Sequence, residues 1–201
     1  MFFQPWGAAA PCWTPTLRPC TPISSGSSEG HLVARCLRGK PSDEQPNVKW
    51  DIAKSPHHAE WLDCGPNSLQ AMFDEDATIP MVKSVWMAID NPITTERWGN
   101  IEVKNDQDAI SVWDILNAIY EYFNEPITRR DLDYLQRLDS SNHAMILEAA
   151  RARVNGQPGS TPAFLGTRGM KRVDALGDMR KFWGMWVVTE DGGWHLKVAL
   201  K

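Results

Sequence analysis

The spacing of apolar residues changes twice between residues 48 and 200, and this feature most constrains the fold. From Val48 to Ile52, apolar side chains alternate with polar ones, as they do on a half-buried strand. The spacing becomes helical over residues 112–154 and alternates again over residues 181–200. This order of strands, helices and strands (β-β-β-α-α-α-β-β) predicts an α+β domain with a mostly antiparallel sheet and helices on one face.

The first block of the domain contains three predicted strands. Val48, Trp50 and Ile52 share one face of the first strand. The second strand spans Met81–Ile89, between Pro80 and Asn91-Pro92, and the third is indicated by Trp98, Ile101 and Val103. Proline suits the first turn of a helix, so Gly65-Pro66 favours a short helix between the first two strands.

The middle block predicts three helices, and two of them begin with a capping box. In Ser111-Val112-Trp113-Asp114 the serine accepts from a first-turn amide and the aspartate reaches back, and Thr128-Arg129-Arg130-Asp131 repeats the pattern. The first helix carries one apolar stripe, formed by Val112, Ile115, Leu116, Ile119, Tyr120 and Phe123. The third helix is predicted from about residue 142 to 154, with Asn155-Gly156 as its stop.

The last block predicts a short strand at Met170–Asp174 and a hairpin formed by Lys181–Val188 and Trp194–Leu200. Alternation points Trp194, Leu196, Val198 and Leu200 inward, while His195 and Lys197 point outward.

Residues 1–47 differ in composition from the rest of the chain. They hold seven of the 14 prolines and the stretch Ser24–Gly30, which is made of serine and glycine with one glutamate. Such a segment has too little apolar surface to offset the entropy of ordering, which predicts a disordered Pro/Ser-rich tail ahead of a single domain over residues 48–201. Met1–Ala10 lacks a basic start and is interrupted by Gln4 and Pro5, so we expect a cytoplasmic protein rather than a secreted one.

Charge and cysteine spacing exclude several classes of partner. The net charge is −4, whereas nucleic-acid-binding proteins usually present a basic face. No apolar run approaches the roughly 18 residues of a membrane span. Cys12, Cys20, Cys36 and Cys64 form no C-x-x-C spacing, so we expect neither a disulfide framework nor a zinc site. We expect no cofactor; the oligomeric state and the choice between a protein and a small-molecule partner stay open.

Several segments together resemble a known family. They are Trp50-Asp51-Ile52, the helix with "D-I-L-x-x-I-Y" at Asp114–Tyr120, the "P-I-T-x-x-D" turn at Pro126–Asp131 and the "R-V-D-x-L-G" segment at Arg172–Gly177. Over about residues 48–200 the chain resembles the domain of unknown function 6699, a family of mushroom-forming fungi that typically follows a proline-rich N-terminal region. The resemblance implies a fungal protein and carries no activity, cofactor or catalytic residue.

Catalysis is suggested at one place. Asp63-Cys64-Gly65-Pro66 resembles the nucleophile segment of papain-like peptidases, in which a helix N-terminus favours the thiolate, and His195 would be the base. A cysteine-dependent hydrolase or transferase is therefore the alternative function. The chain offers no Asp or Asn after His195 to orient the ring, and Cys64 also suits the role of a small apolar residue beside a turn.

Other polar groups favour structural roles. His57 and His58 precede Glu60, but adjacent residues of a strand point to opposite faces, so we expect no metal site. Asp174 lies among Arg172, Arg180 and Lys181, which favours an ionised carboxylate that is paired with an arginine and orients the turn.

The ten tryptophans favour a binding role over an enzymatic one. Most should be core residues, because each buries a large apolar area. Trp183 and Trp186 lie on opposite faces of one predicted strand, so one of them needs cover other than the helices. The leading hypothesis is a non-catalytic interaction or ligand-binding domain, and an accessory role in a gene cluster is a third. The candidate binding residues are Trp183, Trp186, Trp194, Arg172 and Asp174.

Overall fold

The computed structural model describes residues 31–62, 68–106, 108–155, 169–190 and 192–201. The strands are β1 (Leu32–Val33), β2 (Val48–Lys49), β3 (Glu60–Trp61), β4 (Thr78–Ile79), β5 (Ser84–Ile89), β6 (Ile101–Lys104), β7 (Phe182–Glu190) and β8 (Gly193–Leu200). The α-helices are α1 (Ser68–Ala71), α2 (Pro92–Trp98), α3 (Val112–Asn124), α4 (Arg129–Leu138) and α5 (Asn142–Asn155). Short 3-10 helices span Arg35–Leu37, Pro56–His58 and Arg172–Leu176.

The central sheet has four strands in the order β6-β5-β8-β7. β5 pairs antiparallel with β6, and β7 pairs antiparallel with β8 as the predicted hairpin. β5 and β8 run parallel to each other, because the chain returns to the sheet after the whole helical region. Two small antiparallel sheets, β1 with β4 and β2 with β3, complete the architecture. The fold is therefore α+β and mostly antiparallel, as the sequence predicts.

Helix α3 provides the cover for one face of this sheet, the inner face. Ile115, Leu116, Ile119 and Phe123 are fully buried, and they belong to one apolar cluster with Val85, Met87, Leu196, Val198 and Met185 of the strands. The helix stripe and the alternate strand positions were both readable in the sequence. Their contact forms the main core of the domain.

Both predicted capping boxes are present. The Ser111 hydroxyl accepts from the Asp114 amide, the Asp114 carboxylate accepts from the Ser111 amide, and Thr128 and Asp131 repeat the arrangement. Asp131 also binds Arg97 of α2, which ties α4 to α2. Burial alone would raise the pKa of Asp131, but the hydrogen bonds from Thr128 and from Arg97 hold it below its ordinary value. Leu132 and Leu135 pack with α5 in a second, smaller core.

Residues 31–47, which the sequence analysis assigned to the tail, pack against the domain. Cys36 and Leu37 are fully buried. The Gly39 amide donates to the Met185 carbonyl along β7 at 3.2 Å, and the Asn47 amide side chain donates to the carbonyls of Arg35 and Arg38 at 3.1 and 2.7 Å. The Gly39 bond occupies part of the outer edge of β7, and the Asn47 bonds hold the segment in shape; the β7 contact joins residues distant in sequence, so composition alone could not reveal it. Residues 1–30 lie outside the described ranges.

Three local predictions need correction. Met170–Asp174 is not a strand, because Arg172–Leu176 forms a 3-10 helix that turns around the buried Asp174 carboxylate. Trp98 belongs to α2 rather than to the third strand; Asn91 caps α2 and Pro92 occupies its first turn. Val48, Trp50 and Ile52 are buried as predicted, but strand β2 ends at Lys49, and beyond it Asp51 forms an isolated antiparallel bridge with Lys181.

Candidate functional site

The face of the central sheet opposite α3, the outer face, follows from alternation along β5. Val85, Met87 and Ile89 are buried against α3, which points Trp86 and Ala88 the other way. Strand pairing places Glu102 beside Trp86, and Lys197 beside Ala88. On β7, the residue beside Lys197 is Trp186, and Val188 lies beside His195. The outer face therefore includes Trp86, Ala88, Glu102, Trp186, Val188, His195 and Lys197.

Trp186 is the predicted binding residue that the structure places on this face. It is half-buried, and the Lys197 ammonium lies 6.0 Å from its ring centroid. The same ammonium lies 3.0 Å from the Asp90 carboxylate. Lys197 is thus held between an acidic group and an indole, and it covers part of Trp186.

Trp86 is a residue of this face that the sequence hypothesis did not include. It is half-buried and sits on β5, directly opposite Glu102 of β6. On the other side of Trp86 lies His195 of β8. Met87 and Leu196 are paired in parallel, and Trp86 and His195 each come one residue earlier in their strands. The alternation of Val85, Met87 and Ile89 was the signal that could have identified Trp86 as outward-facing.

Trp86 differs from the other half-buried tryptophans in what covers its ring. Each of the others has a basic or imidazole side chain close to the ring: Arg172 for Trp98, His57 for Trp113, Lys201 for Trp183, Lys197 for Trp186 and His31 for Trp194. Among the described residues, no such group and no second aromatic ring packs on Trp86. Trp86, a half-buried indole in the middle of the sheet, is therefore distinguished by the lack of a stacked ring or cation among the described residues.

Trp183 and Trp194 lie away from the outer-face pair. A β-bulge between Phe182 and Gly184 interrupts the predicted alternation at Trp183. The Trp183 indole donates to the Asp43 carbonyl at 3.3 Å, and the Lys201 ammonium lies 3.8 Å from its ring centroid. Trp194 packs at the margin of the inner core and stacks with His31 at 4.4 Å. Both rings bind the N-terminal segment that the sequence assigned to the tail.

Asp174 is a buried structural anchor. Arg153 of α5 binds both of its carboxylate oxygens at 2.8 Å, and the Lys171 amide donates to it at 2.8 Å. The predicted pairing with an arginine is confirmed, but the partner is Arg153 rather than the neighbouring Arg172. A bidentate pair of this kind fixes the 3-10 turn against α5.

Arg172 is part of a cation–π cluster beside that anchor. Its guanidinium lies 4.8 Å from the Tyr122 ring and 5.4 Å from the Trp98 ring, and it pairs with Glu125 at 2.6 Å. Burial raises the pKa of Tyr122 to about 12, so the phenol stays protonated and donates to the Gly99 carbonyl. This cluster joins α2, α3 and the 3-10 helix, and it is separate from the outer face.

The residues proposed for catalysis or metal binding can be placed only in part. Cys64 lies outside the described residues, so the structure describes no Cys64–His195 pair; His195 is half-buried on the outer face. His57 is in a 3-10 helix rather than a strand, and its ring stacks on Trp113 at 4.6 Å. Within the described ranges, no group of three or more His, Cys, Asp or Glu side chains is placed to hold a metal ion.

None of the helices in the described ranges combines the length and apolar character that crossing a bilayer requires.

The fold and the outer face together define an α+β domain built on a mixed four-stranded sheet, with one face closed by α3 and the other lined by two tryptophans. The model of the family of unknown function DUF6699 matches residues 48–193, and the chain belongs to this family. Neither the curated proteins nor the solved structures gave a match.

Proposed function

We propose that this domain is a non-catalytic protein-interaction module whose outer face binds an extended, proline-containing segment of a partner. The observation that carries the proposal is Trp86, the half-buried indole without a covering ring or cation among the described residues. Proline rings pack on indole faces, and a polyproline II segment loses little conformational entropy on binding. An aromatic sheet face is therefore suited to such a ligand.

The surroundings of Trp86 support this class of ligand. The strands beneath it are fixed by the fully buried Met87 and Leu196, so the indole stands on a rigid platform. Glu102 is bridged to Lys104 at 2.7 Å and Lys197 to Asp90 at 3.0 Å. Because these charges are paired within the domain, the apolar rings dominate recognition, and the paired charges form a polar rim.

The test uses fluorescein-labelled octaproline and a Gly/Ser octapeptide as probes, with binding measured by fluorescence anisotropy. We expect octaproline to bind and the Gly/Ser peptide not to bind. Trp86→Ala should weaken octaproline binding by about tenfold or more, since a central tryptophan often dominates an interface. Trp86→Phe should retain part of the affinity, because it keeps an aromatic ring.

The matched control is Trp113→Ala, which removes another half-buried tryptophan, on α3, where His57 covers the ring. This variant should bind octaproline as the native chain does. Thermal melts followed by circular dichroism establish that each variant is folded. Equal octaproline affinity for the native chain and Trp86→Ala would contradict the proposal.

A further inference from the structure

We propose that the outer face is occupied in cis by the proline-rich residues 5–22 of the same chain, which would make these residues an autoinhibitory segment. This inference rests on the proposed function, because it assigns an occupant to the same face. Three observations carry it: the point at which the described chain begins, the composition of the residues before it, and the spacing of the two outer-face tryptophans.

The described chain begins at the hairpin end of the central sheet, on the inner-face side. His31 stacks on Trp194 at 4.4 Å, and Trp194 is followed in β8 by His195, which lies next to Trp86 on the outer face. A segment that precedes His31 therefore has to pass only around the end of the β7–β8 hairpin. The thickness to be crossed is about 10 Å, the usual separation of packed layers.

The residues directly before His31 have the composition of a linker. Ser24–Gly30 contains four serines, two glycines and one glutamate. Seven residues of Gly/Ser-rich composition have a root-mean-square span of about 15 Å. This span exceeds the layer thickness of about 10 Å, so residues 5–22 are tethered within reach of Trp86.

The proline spacing matches the tryptophan spacing. Two strand separations and a two-residue step along the sheet place the backbones of Trp86 and Trp186 about 12 Å apart. Pro11, Pro15, Pro19 and Pro22 follow one another at intervals of three or four residues. These intervals correspond to about 9–12 Å in a polyproline II segment. Successive prolines can therefore reach both indoles.

Tethering makes the cis contact competitive even if its intrinsic affinity is weak. A short linker gives the tethered segment an effective concentration in the millimolar range. A partner in trans must then displace residues 5–22 before it binds, so the segment sets a threshold for partner binding.

The first experiment is photo-crosslinking in the intact chain. The variant Glu102→p-benzoylphenylalanine places the crosslinker directly opposite Trp86, and Arg130→p-benzoylphenylalanine places it on the exposed surface of α4. Proteins with natural and heavy isotopes are mixed before irradiation and analysed by mass spectrometry. We expect position 102 to crosslink to peptides from residues 1–30 of the same molecule, and position 130 not to do so. Crosslinks between heavy and light chains, or none from position 102, would overturn the proposal.

The second experiment separates failure of the cis contact from failure of the proposed function. In the intact chain Pro11, Pro15, Pro19 and Pro22 are changed to serine, and the control changes Ser24, Ser25, Ser27 and Ser28 to alanine. We expect octaproline to bind the proline variant at least about tenfold more tightly than the native chain, as expected when a tethered competitor is lost, and to bind the control as it binds the native chain. Unchanged, Trp86-dependent affinity would overturn the cis contact and leave the function intact. No octaproline binding by any of the chains would overturn both.

Discussion

The two faces of the central sheet are made by the same strands but differ in what covers them. On the inner face, Met87 and Leu196 are fully buried against α3. On the outer face, their sequence neighbours Trp86 and His195 are half-buried. Alternation gives each strand two chemically different sides, so the inner residues hold the fold while the outer residues contribute less to the core. Substitutions should separate these roles.

The largest expected effect is on the inner face. Phe123→Ala removes a fully buried ring of α3 from the main core. Loss of its apolar contacts and the cavity left behind should lower the free energy of unfolding by about 3–5 kcal/mol. Urea denaturation provides the measurement. Glu121→Ala, an exposed position on the same helix, is the control and should change the value by less than about 0.5 kcal/mol. Comparable losses for both would show that α3 does not close the sheet.

The buried thiol of Cys36 should make the stability of the inner core depend on pH. Burial raises the pKa of Cys36 from 9.0 to about 11. Because the folded value lies above the unfolded one, the protonated thiol stabilises the fold below pH 9, and this contribution is lost as the pH rises through about 11. The shift corresponds to about 2–3 kcal/mol. Urea denaturation at pH 8 and pH 11.5 gives the free energy of unfolding that is lost between the two pH values. This loss should be smaller in Cys36→Ala than in the native chain by about 2–3 kcal/mol.

Iodoacetamide labelling provides an independent check on Cys36. At pH 7.5, peptide-resolved mass spectrometry should find Cys36 unmodified in the folded chain and modified in urea, because the thiolate is the reactive form. Rapid labelling of folded Cys36 would contradict its place in the core.

Gly184 lies where residues 38–39 pack against the edge of β7. Its φ is +136°, and a Cβ at this position would lie 2.5 Å from the Gly39 Cα. Gly184→Ala should destabilise the domain by about 1–3 kcal/mol, because backbone strain is combined with displacement of residues 38–39 from β7. Gly192→Ala, with φ of +77° but open space around it, should cost less. Hydrogen exchange of the Gly39 amide distinguishes the two, since only Gly184→Ala should accelerate it.

Trp86 is expected to affect stability less than binding. Because the side chain is half-buried, Trp86→Ala should lower the free energy of unfolding by only about 1–2 kcal/mol, less than removal of a core aromatic residue. Chemical denaturation measures this loss beside the anisotropy experiment. A stability loss as large as that of Phe123→Ala would mean that Trp86 is a core residue, and the distinction between the faces would fail.

The smallest effect is expected at Lys197. Lys197→Gln breaks the ion pair with Asp90 and the contact with Trp186. Partly exposed ion pairs contribute little, so the loss should be below about 1 kcal/mol and should shrink as salt is added. Denaturation at low and high ionic strength tests this. A salt-independent loss would indicate that packing of the lysine stem, rather than charge, holds the side chain in place.

Local signals in the sequence predicted much of the architecture. Ser111 and Thr128 mark helix starts because their capping bonds join residues three apart. The β7–β8 hairpin is similarly local, and the alternation of Val85, Met87 and Ile89 identifies the buried side of β5. Asn91-Pro92 also fits the start of a helix, but the sequence interpretation treated it as the end of a strand.

Non-local contacts account for the features that the sequence did not predict. Cys36 and Leu37 belong to the segment that composition assigned to the tail, yet they are fully buried beside residues 38–39, which pair with β7 about 145 positions later. Strict alternation would have placed the Trp183 side chain on the face opposite Trp186, but the bulge at Trp183 interrupts that alternation. The partner of Asp174 is Arg153, which becomes its neighbour only after α5 packs on the 3-10 helix.

The sequence by itself determined the secondary structure of residues 111–155, the hairpin and the apolar side of each main strand, because these depend on backbone preferences and side-chain periodicity over a few residues. Only the tertiary structure decided that β5 and β8 pair in parallel, that residues 38–39 pair with the edge of β7, and that Trp86 lies between Glu102 and His195 on the outer face. The physical reason is that pairing and cover are set by contacts between distant residues, which local patterns do not encode.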